Sequence, residues 1–286
     1  MILVTGATGN LGTSVIAQLQ QHINTSEFIA SSSNAKGVAK LEKQGLQAGL
    51  ADFNDMQSLN AALKGITKVL LISTMEQNRF EQHKNLVDAA KNNGVKHILY
   101  TSLAIANIET SGVKDLMMSH FQTEDYIKAS GLDYTILRNG MYADALGQIL
   151  GENGAKQDIN LPGGKGKVPY ALRSEMGEGI ANLLVQNGHE NKIYNIVGSQ
   201  AYSYADIAKA FSELSGANLK YNDISAADFV QSLKNIGFPD FAIYLHAGTI
   251  EDIKNHQYEI KDNTLATLLG RPTASLKEFL KVVFHL

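Results

Sequence analysis

The chain has 286 residues, 44% of them hydrophobic, enough to bury a sizeable core in one large or two intimate domains. Its net charge of −3, with lysines spread along the chain, gives no electrostatic footprint for nucleic acid, and none is expected as a direct partner. The absence of cysteine excludes disulfides, thiol nucleophiles and thiolate metal sites.

The chain opens on an apolar run, Met1 to Thr5, that breaks into Gly6-Ala7-Thr8-Gly9-Asn10-Leu11-Gly12 and continues as a helical pattern from Leu11 to Gln20. A buried strand, a glycine-rich turn and a helix start form a device for holding a phosphate. Gly6 permits the tight turn, Gly9 lets backbone approach a pyrophosphate, and Gly12 lets helix and strand pack closely. The free N–H groups of the helix start and the positive end of its dipole face the anion. An ordinary strand–helix turn uses glycines in the same way, but the position at the head of a βαβ pattern favours a dinucleotide. With a strand beginning at residue 1 there is no signal-peptide pattern, and no apolar run reaches membrane-spanning length. A cytoplasmic protein without membrane insertion is expected.

Phe28–Ser32 reads as a second strand, Asn34–Gln44 as a helix, and Gln47–Leu50 as a short third strand. Met56–Leu63 is helical and ends at Gly65. Val69–Ile72 is a continuous apolar run, as a central parallel strand requires. Phe80–Asn93 is an amphipathic helix with Leu86, Val87, Ala89 and Ala90 inward. His97–Ser102, a helix over Met117–Ala129, and Tyr134–Arg138 complete six strands alternating with helices. The fold class is therefore α/β, a doubly wound parallel sheet. Residues 1–150 form its dinucleotide-binding domain, and a strand within 192–198 adds an edge. Residues 151–286 form a smaller, mostly helical, substrate-covering lobe interleaved with the first. There, Asp158–Tyr170 reads as an irregular loop or loose hairpin, and Phe238–Asp262 has no clear pattern.

In such a sheet the ligand lies beyond the carboxyl ends of the strands, where the strand order reverses. The second strand ends in Ser31-Ser32-Ser33-Asn34 and offers no carboxylate for a ribose 2′-hydroxyl. Ser32, Ser33, Asn34 and Lys36 suit a 2′-phosphate instead, which favours NADP over NAD, although the same residues would also cap the following helix. Asp52, ending the third strand, is placed to accept from an adenine amino group or to serve as a helix cap. Ser73, Thr74 and Met75 follow the fourth strand, beside the expected ribose and nicotinamide.

The segments TGATGNLG, GLADFND, LLIS, QHKNLVDAAKNNGVKHILYTS, YTILRNGMY and LLGRPTASLKEFL together resemble the NmrA-like group of atypical short-chain dehydrogenases. Within it the chain is most similar to the bacterial NAD(P)H:quinone oxidoreductases of type 2, with triphenylmethane reductases as relatives. The resemblance spans nearly the whole chain. It implies a Rossmann-type domain with a smaller C-terminal lobe, NADPH as hydride donor with NADH as an open alternative, a small-molecule quinone as acceptor, and a monomer or homodimer. It also implies cofactor contacts at Gly6, Ala7, Thr8, Gly9, Asn10 and Leu11, at Ser33, at Ser73, Thr74 and Met75, and along Gly140, Met141, Tyr142, Ala143, Asp144 and Ala145. Ser33 stands where the family usually has arginine, which leaves dual use of NADH and NADPH open.

The Tyr-x-x-x-Lys pair of conventional short-chain dehydrogenases is absent. Tyr134 and Arg138 have the spacing but lie on a predicted strand. The corresponding helix carries His120 and Glu124 at i and i+4, where they share a face and can pair. Such a pair would raise the imidazole toward a useful general acid, or it is an ordinary polar face. A quinone needs little acid catalysis, so the expected work is to hold nicotinamide C4 roughly 3–3.5 Å from the acceptor. Asn139, Gly140, Met141 and Tyr142 after the sixth strand suit this, with Tyr142 stacking on the flat ring or packing within the lobe. Tyr170, Phe238, Phe241 and Tyr244 are candidate pocket walls or core. The other histidines lack ligand spacing, and no metal is expected. Reduction of a triphenylmethane dye or another conjugated acceptor is the alternative chemistry. A non-catalytic, dinucleotide-binding redox sensor is the alternative of another class.

Overall fold

The short apolar runs become the strands of one parallel sheet in the computed structural model, which describes residues 1–151 and 153–286. In chain order the elements begin with β1 (Ile2–Val4), α1 (Asn10–His22), β2 (Phe28–Ser32), α2 (Ala35–Lys43), β3 (Ala48–Leu50) and α3 (Met56–Ala62). They continue with β4 (Lys68–Leu71), α4 (Arg79–Asn92), β5 (His97–Leu103), α5 (Lys114–Ala129), β6 (Asp133–Asn139), α6 (Leu146–Leu150) and β7 (Ile159–Asn160). Next come α7 (Arg173–Val185), β8 (Lys192–Ile196), α8 (Tyr204–Ser215), β9 (Tyr221–Asn222), α9 (Ala226–Asn235), α10 (Asp240–Lys254), α11 (Thr264–Leu269) and α12 (Leu276–Phe284).

The main sheet runs β3-β2-β1-β4-β5-β6-β8, parallel throughout. The order reverses between β1 and β4, which opens a crevice at their carboxyl ends. The edge strand expected within 192–198 is β8, paired with β6 with Thr135 opposite Lys192. Alternation along the strands divides the core between two faces. Leu3, Val69, Leu71, Ile98, Tyr100 and Ile136 point to one face, where Leu59 of α3 and Leu63 just after it, Leu86, Val87, Ala89 and Ala90 of α4, and Ile127 of α5 cover them. Their neighbours Val4, Leu70, Leu99 and Leu137 are equally buried on the other. Near-continuous burial of these strands explains why they read as unbroken apolar runs.

The chain divides into two units. The first comprises Met1–Leu103, Met118–Asn139 and Arg173–Ile196 and holds the whole main sheet; the second comprises Ala104–Met117, Gly140–Leu172 and Val197–Leu286. Within the second, the segment expected as a loop or loose hairpin differs. Ile159 and Asn160 pair in parallel with Tyr221 and Asn222, which a hairpin cannot do, because parallel strands need a long connection. The unclear stretch from Phe238 contains the fifteen-residue α10. Its inward positions include Gly248 and Asp252 beside purely apolar ones, which obscures the helical period. Asp252 is fully buried and accepts from Ser111 Oγ at 2.6 Å and from the Gly112 amide at 2.8 Å.

In the first unit α1 lies along α7 so closely that a β-carbon on Gly177 would stand 2.6 Å from Ser14 Cβ and 2.8 Å from the Ser14 carbonyl carbon. Backbone cannot yield there as a flexible side chain would. Gly177→Ala is expected to destabilise the protein by about 1–3 kcal/mol, measured as a lower urea midpoint with an unchanged slope. An unaltered midpoint would mean that the two helices separate freely.

Candidate functional site

A groove of about 720 Å³ opens at the reversal of strand order. Gly6, Thr8 and Gly9 line it from the turn after β1, Ser33 from the end of β2, Asp52, Phe53 and Asn54 from the end of β3, and Ile72, Ser73 and Thr74 from the end of β4. Gly6 adopts φ +60°, a left-handed conformation that favours glycine, and its carbonyl accepts from the Gly9 amide at 2.9 Å. A β-carbon on Gly12 would collide with that same carbonyl oxygen and stand 2.8 Å from Ala7 Cα, so the start of α1 can lie against the turn only without a side chain there.

The start of α1 differs chemically from those of α2, α3, α8 and α9. Asn34, Asp55, Ser203 and Ser225 each cap their helix by accepting a backbone N–H. Gly9 caps α1 with no side-chain hydrogen bond, and the first turn carries no acidic residue. The N–H groups of that turn and the positive end of the dipole are left to an anion.

The residues expected to touch a cofactor divide by burial. Ala7 and Leu11 are buried and build the turn from behind, and Asn10 is exposed at the helix start. In the serine run, Ser31 Oγ bonds to the Val4 carbonyl at 3.2 Å. Ser32 is buried against Gly37, which removes it from the expected 2′-phosphate set. Asn34 Oδ1 is engaged in capping α2, accepting from the Gly37 amide at 2.9 Å. Ser33 and Lys36 remain exposed. Lys36 borders a second depression of about 470 Å³ with Thr8, Asn34, Lys40 and Lys43. Asp52 Oδ1 accepts from the Asn54 amide at 2.9 Å, while the cap of α3 is Asp55.

The segment after β4 is held from several sides. The Ile72 amide donates to Thr5 Oγ1 at 3.0 Å and the Ser73 amide to Thr101 Oγ1 at 2.9 Å. Thr74 Oγ1 donates to Gln82 Oε1 at 2.8 Å, and its carbonyl accepts from Arg79 Nε. Met75 is half exposed, its sulfur 3.6 Å from Arg79 Nη2. Asn54, Glu76, Asn78 and Gln82 also line the groove, and sequence reading missed them. The available signal was the polar face Arg79, Gln82, His83 on an otherwise apolar-faced helix.

The expected His120–Glu124 pairing is not formed. His120 Nδ1 lies 2.9 Å from Tyr100 Oη. Glu124 accepts from Ser102 Oγ at 2.6 Å and from Arg138 Nε and Nη2 at 2.9 and 2.7 Å. Arg138, stacked 5.3 Å from the Phe121 ring, competes for the carboxylate with two parallel donors, which a single imidazole cannot match. The expected upward shift is reversed as well. Burial and then the charge of Arg79 hold His120 well below the usual histidine range.

Asn139 ends β6 and is buried. Gly140, Met141, Tyr142, Ala143, Asp144 and Ala145 belong to the second unit, where Tyr142 bridges Ala171 and the Ala143 amide donates to the Ala171 carbonyl at 2.8 Å. Tyr170 is not a pocket wall: it is buried in that unit's core, 6.1 Å from the Phe279 ring. Phe241 is half exposed, and Phe238 packs edge-on against His246. Among the described residues no cluster of His, Asp and Glu could hold a metal, and no helix is long and apolar enough to cross a membrane.

The pattern of the NmrA-like family matches residues 1–274. Quinone oxidoreductase 2 of Escherichia coli is 35% identical over all of this chain and 99% of its own length. The crystal structure of the E. coli NADPH-dependent quinone oxidoreductase with NADPH superimposes with a TM-score of 0.91 at 34% identity, covering 99% of this chain and 100% of the other. That of the Citrobacter sp. triphenylmethane reductase with NADP(H) gives 0.90 at 32%, covering 99% of each.

Three histidines of the first unit, His83, His97 and His120, are buried and held below their ordinary value, first by burial and then by a nearby cation, Arg79 or Lys68; His83 is pushed down to about 3. In the unfolded chain each titrates near about 6.5. Below that pH the unfolded state binds more protons, so stability is complete above it and declines as pH falls toward the folded-state values. Urea unfolding at about pH 5.5 is expected to give about 2–4 kcal/mol less stability than at about pH 7.5. Equal stability at both would mean that these imidazoles carry their protons in the fold.

Proposed function

The chain belongs to the NmrA-like family, and we propose on that premise that it is an NADPH-dependent quinone oxidoreductase. Its likeness to the E. coli quinone oxidoreductase over the whole chain carries this reading. The groove fits the cofactor: the start of α1 is uncapped, the close approach at Gly12 seats it behind the turn, and the end of β2 offers no carboxylate against a 2′-phosphate. When bound, NADPH supplies a hydride to the quinone, and one proton completes the hydroquinone.

The chain's own work is to bind and orient. Backbone N–H groups at the start of α1, with Thr8, face the pyrophosphate. Ser33 and Lys36 take the 2′-phosphate, the lysine as a point charge without the fork of an arginine. Asp52 stands at the adenine side, and Ser73, Thr74 and Met75 border the other half. Asn139 to Ala145 follow the carboxyl end of β6, the ligand side of the sheet, and Tyr142 is the residue we assign to stacking on the flat acceptor. His120, neutral and bonded to Tyr100, and Glu124, saturated by Arg138 and Ser102, are arranged to hold the ends of β5 and β6. The proton therefore comes from solvent. Function in the cytoplasm, as a monomer or homodimer, belongs to the same proposal. The likeness to the triphenylmethane reductase favours a second acceptor class, cationic conjugated dyes.

Enzyme-dependent loss of reduced-nicotinamide absorbance with a simple benzoquinone tests the reading. Turnover is expected with NADPH. Dinucleotide binding with no turnover across several quinones and dyes would overturn it in favour of a sensor. Lys36→Glu is expected to weaken NADP⁺ roughly tenfold and NAD⁺ hardly at all, since only the former brings a second anion to that corner. Equal losses for the two would remove Lys36 from the 2′-phosphate site. Tyr142→Ala is expected to raise KM for the quinone several-fold while the Kd for NADP⁺ holds; an unchanged KM would make Tyr142 a packing residue.

A further inference from the structure

One residue of the groove wall has each of its polar groups answered by a different side chain of a single helix. The Thr74 carbonyl accepts from Arg79 Nε, its hydroxyl donates to Gln82 Oε1 at 2.8 Å, and its amide donates to His83 Nε2 at 3.4 Å. Positions 79, 82 and 83 are i, i+3 and i+4 on α4 and share one face. Arg79 and His83 are fully buried and Gln82 nearly so. From this geometry we propose that Arg79, Gln82 and His83 are positioning residues that clamp the Ser73–Met75 wall for the nicotinamide half of the dinucleotide. The proposal rests on the NADPH-binding reading given above.

The clamp continues behind Thr74. Because His83 Nε2 accepts the Thr74 amide, Nδ1 carries the ring proton and donates to Thr123 Oγ1 at 3.0 Å. The Thr123 hydroxyl donates in turn to the Ser119 carbonyl at 2.8 Å. Only neutral imidazole can fill this place, and burial beside Arg79 holds His83 neutral down to about pH 3. Arg79 Nη1 reaches Ser119 Oγ at 3.0 Å, so α4 and the start of the first unit's α5 segment grip the same wall. Gln82 Nε2 also donates to Asn54 Oδ1 at 3.4 Å, which ties this wall to the loop after β3. A loop that needed only to be covered would be served by apolar side chains. Burying a guanidinium and an imidazole to satisfy one residue's backbone is the more costly arrangement, and it fixes direction as well as position.

The topology limits the effect to half of the ligand. The pyrophosphate lies at α1, and the ends of β2 and β3, with Ser33, Asp52 and Phe53, border the adenosine side. The segment after β4 lies across the reversal of strand order from them. Loosening it should weaken the whole dinucleotide and spare the adenosine half taken alone.

Calorimetric titration with NADP⁺ and with 2′,5′-ADP, which lacks the nicotinamide half, tests this on wild type, His83→Leu, His83→Gln and Gln82→Met. His83→Gln keeps an acceptor near the Nε2 position, and Gln82→Met frees the Thr74 hydroxyl together with the long contact to Asn54 while leaving the Thr74 backbone held, which covers the case in which His83→Leu does not fold. His83→Leu and Gln82→Met are expected to weaken NADP⁺ about tenfold and leave 2′,5′-ADP within about twofold, with affinity largely restored in His83→Gln. Parallel loss of both ligands, or unchanged NADP⁺ affinity in variants that fold, would overturn the clamp. Wild-type protein that binds neither ligand would instead overturn the NADPH reading on which it rests.

Discussion

The first unit depends on how closely α1 approaches the end of β1. The Gly6 carbonyl stands where a β-carbon of residue 12 would be, and Gly6 itself turns through a left-handed conformation. Together these seat the uncapped start of the helix behind the turn, with its N–H groups directed at the groove. A larger residue at position 12 would push α1 outward and leave the dipole too far from any anion, since the effect fades within the first turn. The strand order then places this corner beside the one point in the sheet where a crevice opens.

Around that corner the protein uses buried polar groups where a simple core would use apolar ones. Thr5 and Thr101, at the ends of the strands flanking β4, donate or accept through their hydroxyls to hold the backbone of Ile72 and Ser73. Glu124 is almost fully buried and ties β5 to β6 through Ser102 and Arg138. Breaking such a pair leaves an uncompensated buried charge, which costs far more than the intact pair contributes. Direction is what these groups supply. A hydride acceptor needs little help with protons, so the barrier falls mainly through placement, and a rigid, directed rim suits that demand.

The doubly wound sheet was legible because its central strands carry apolar runs and amphipathic helices separate them. The glycine turn was legible because its spacing has a steric meaning. The His120–Glu124 reading failed for a definite reason. Helical spacing tells which residues share a face, but not what faces them, and Tyr100 and Arg138 come from strands 20 and 14 residues away. The wall-holding face of α4 is not legible in the sequence because Leu86, Val87, Ala89 and Ala90 carry the helical period, while Arg79, Gln82 and His83 look like a solvated surface until Thr74 is brought against them. The parallel pairing of Ile159 with Tyr221 joins segments too short and too distant in sequence to carry a pattern of their own.

Hydride delivery from this groove to a quinone is most directly read in a single turnover. The protein is loaded with NADPH carrying deuterium at the transferred C4 position, mixed rapidly with benzoquinone, and compared with the unlabelled cofactor. Decay of bound NADPH in both samples, slower with deuterium, is the predicted result. Bound NADPH that stays reduced in the presence of the quinone would contradict it.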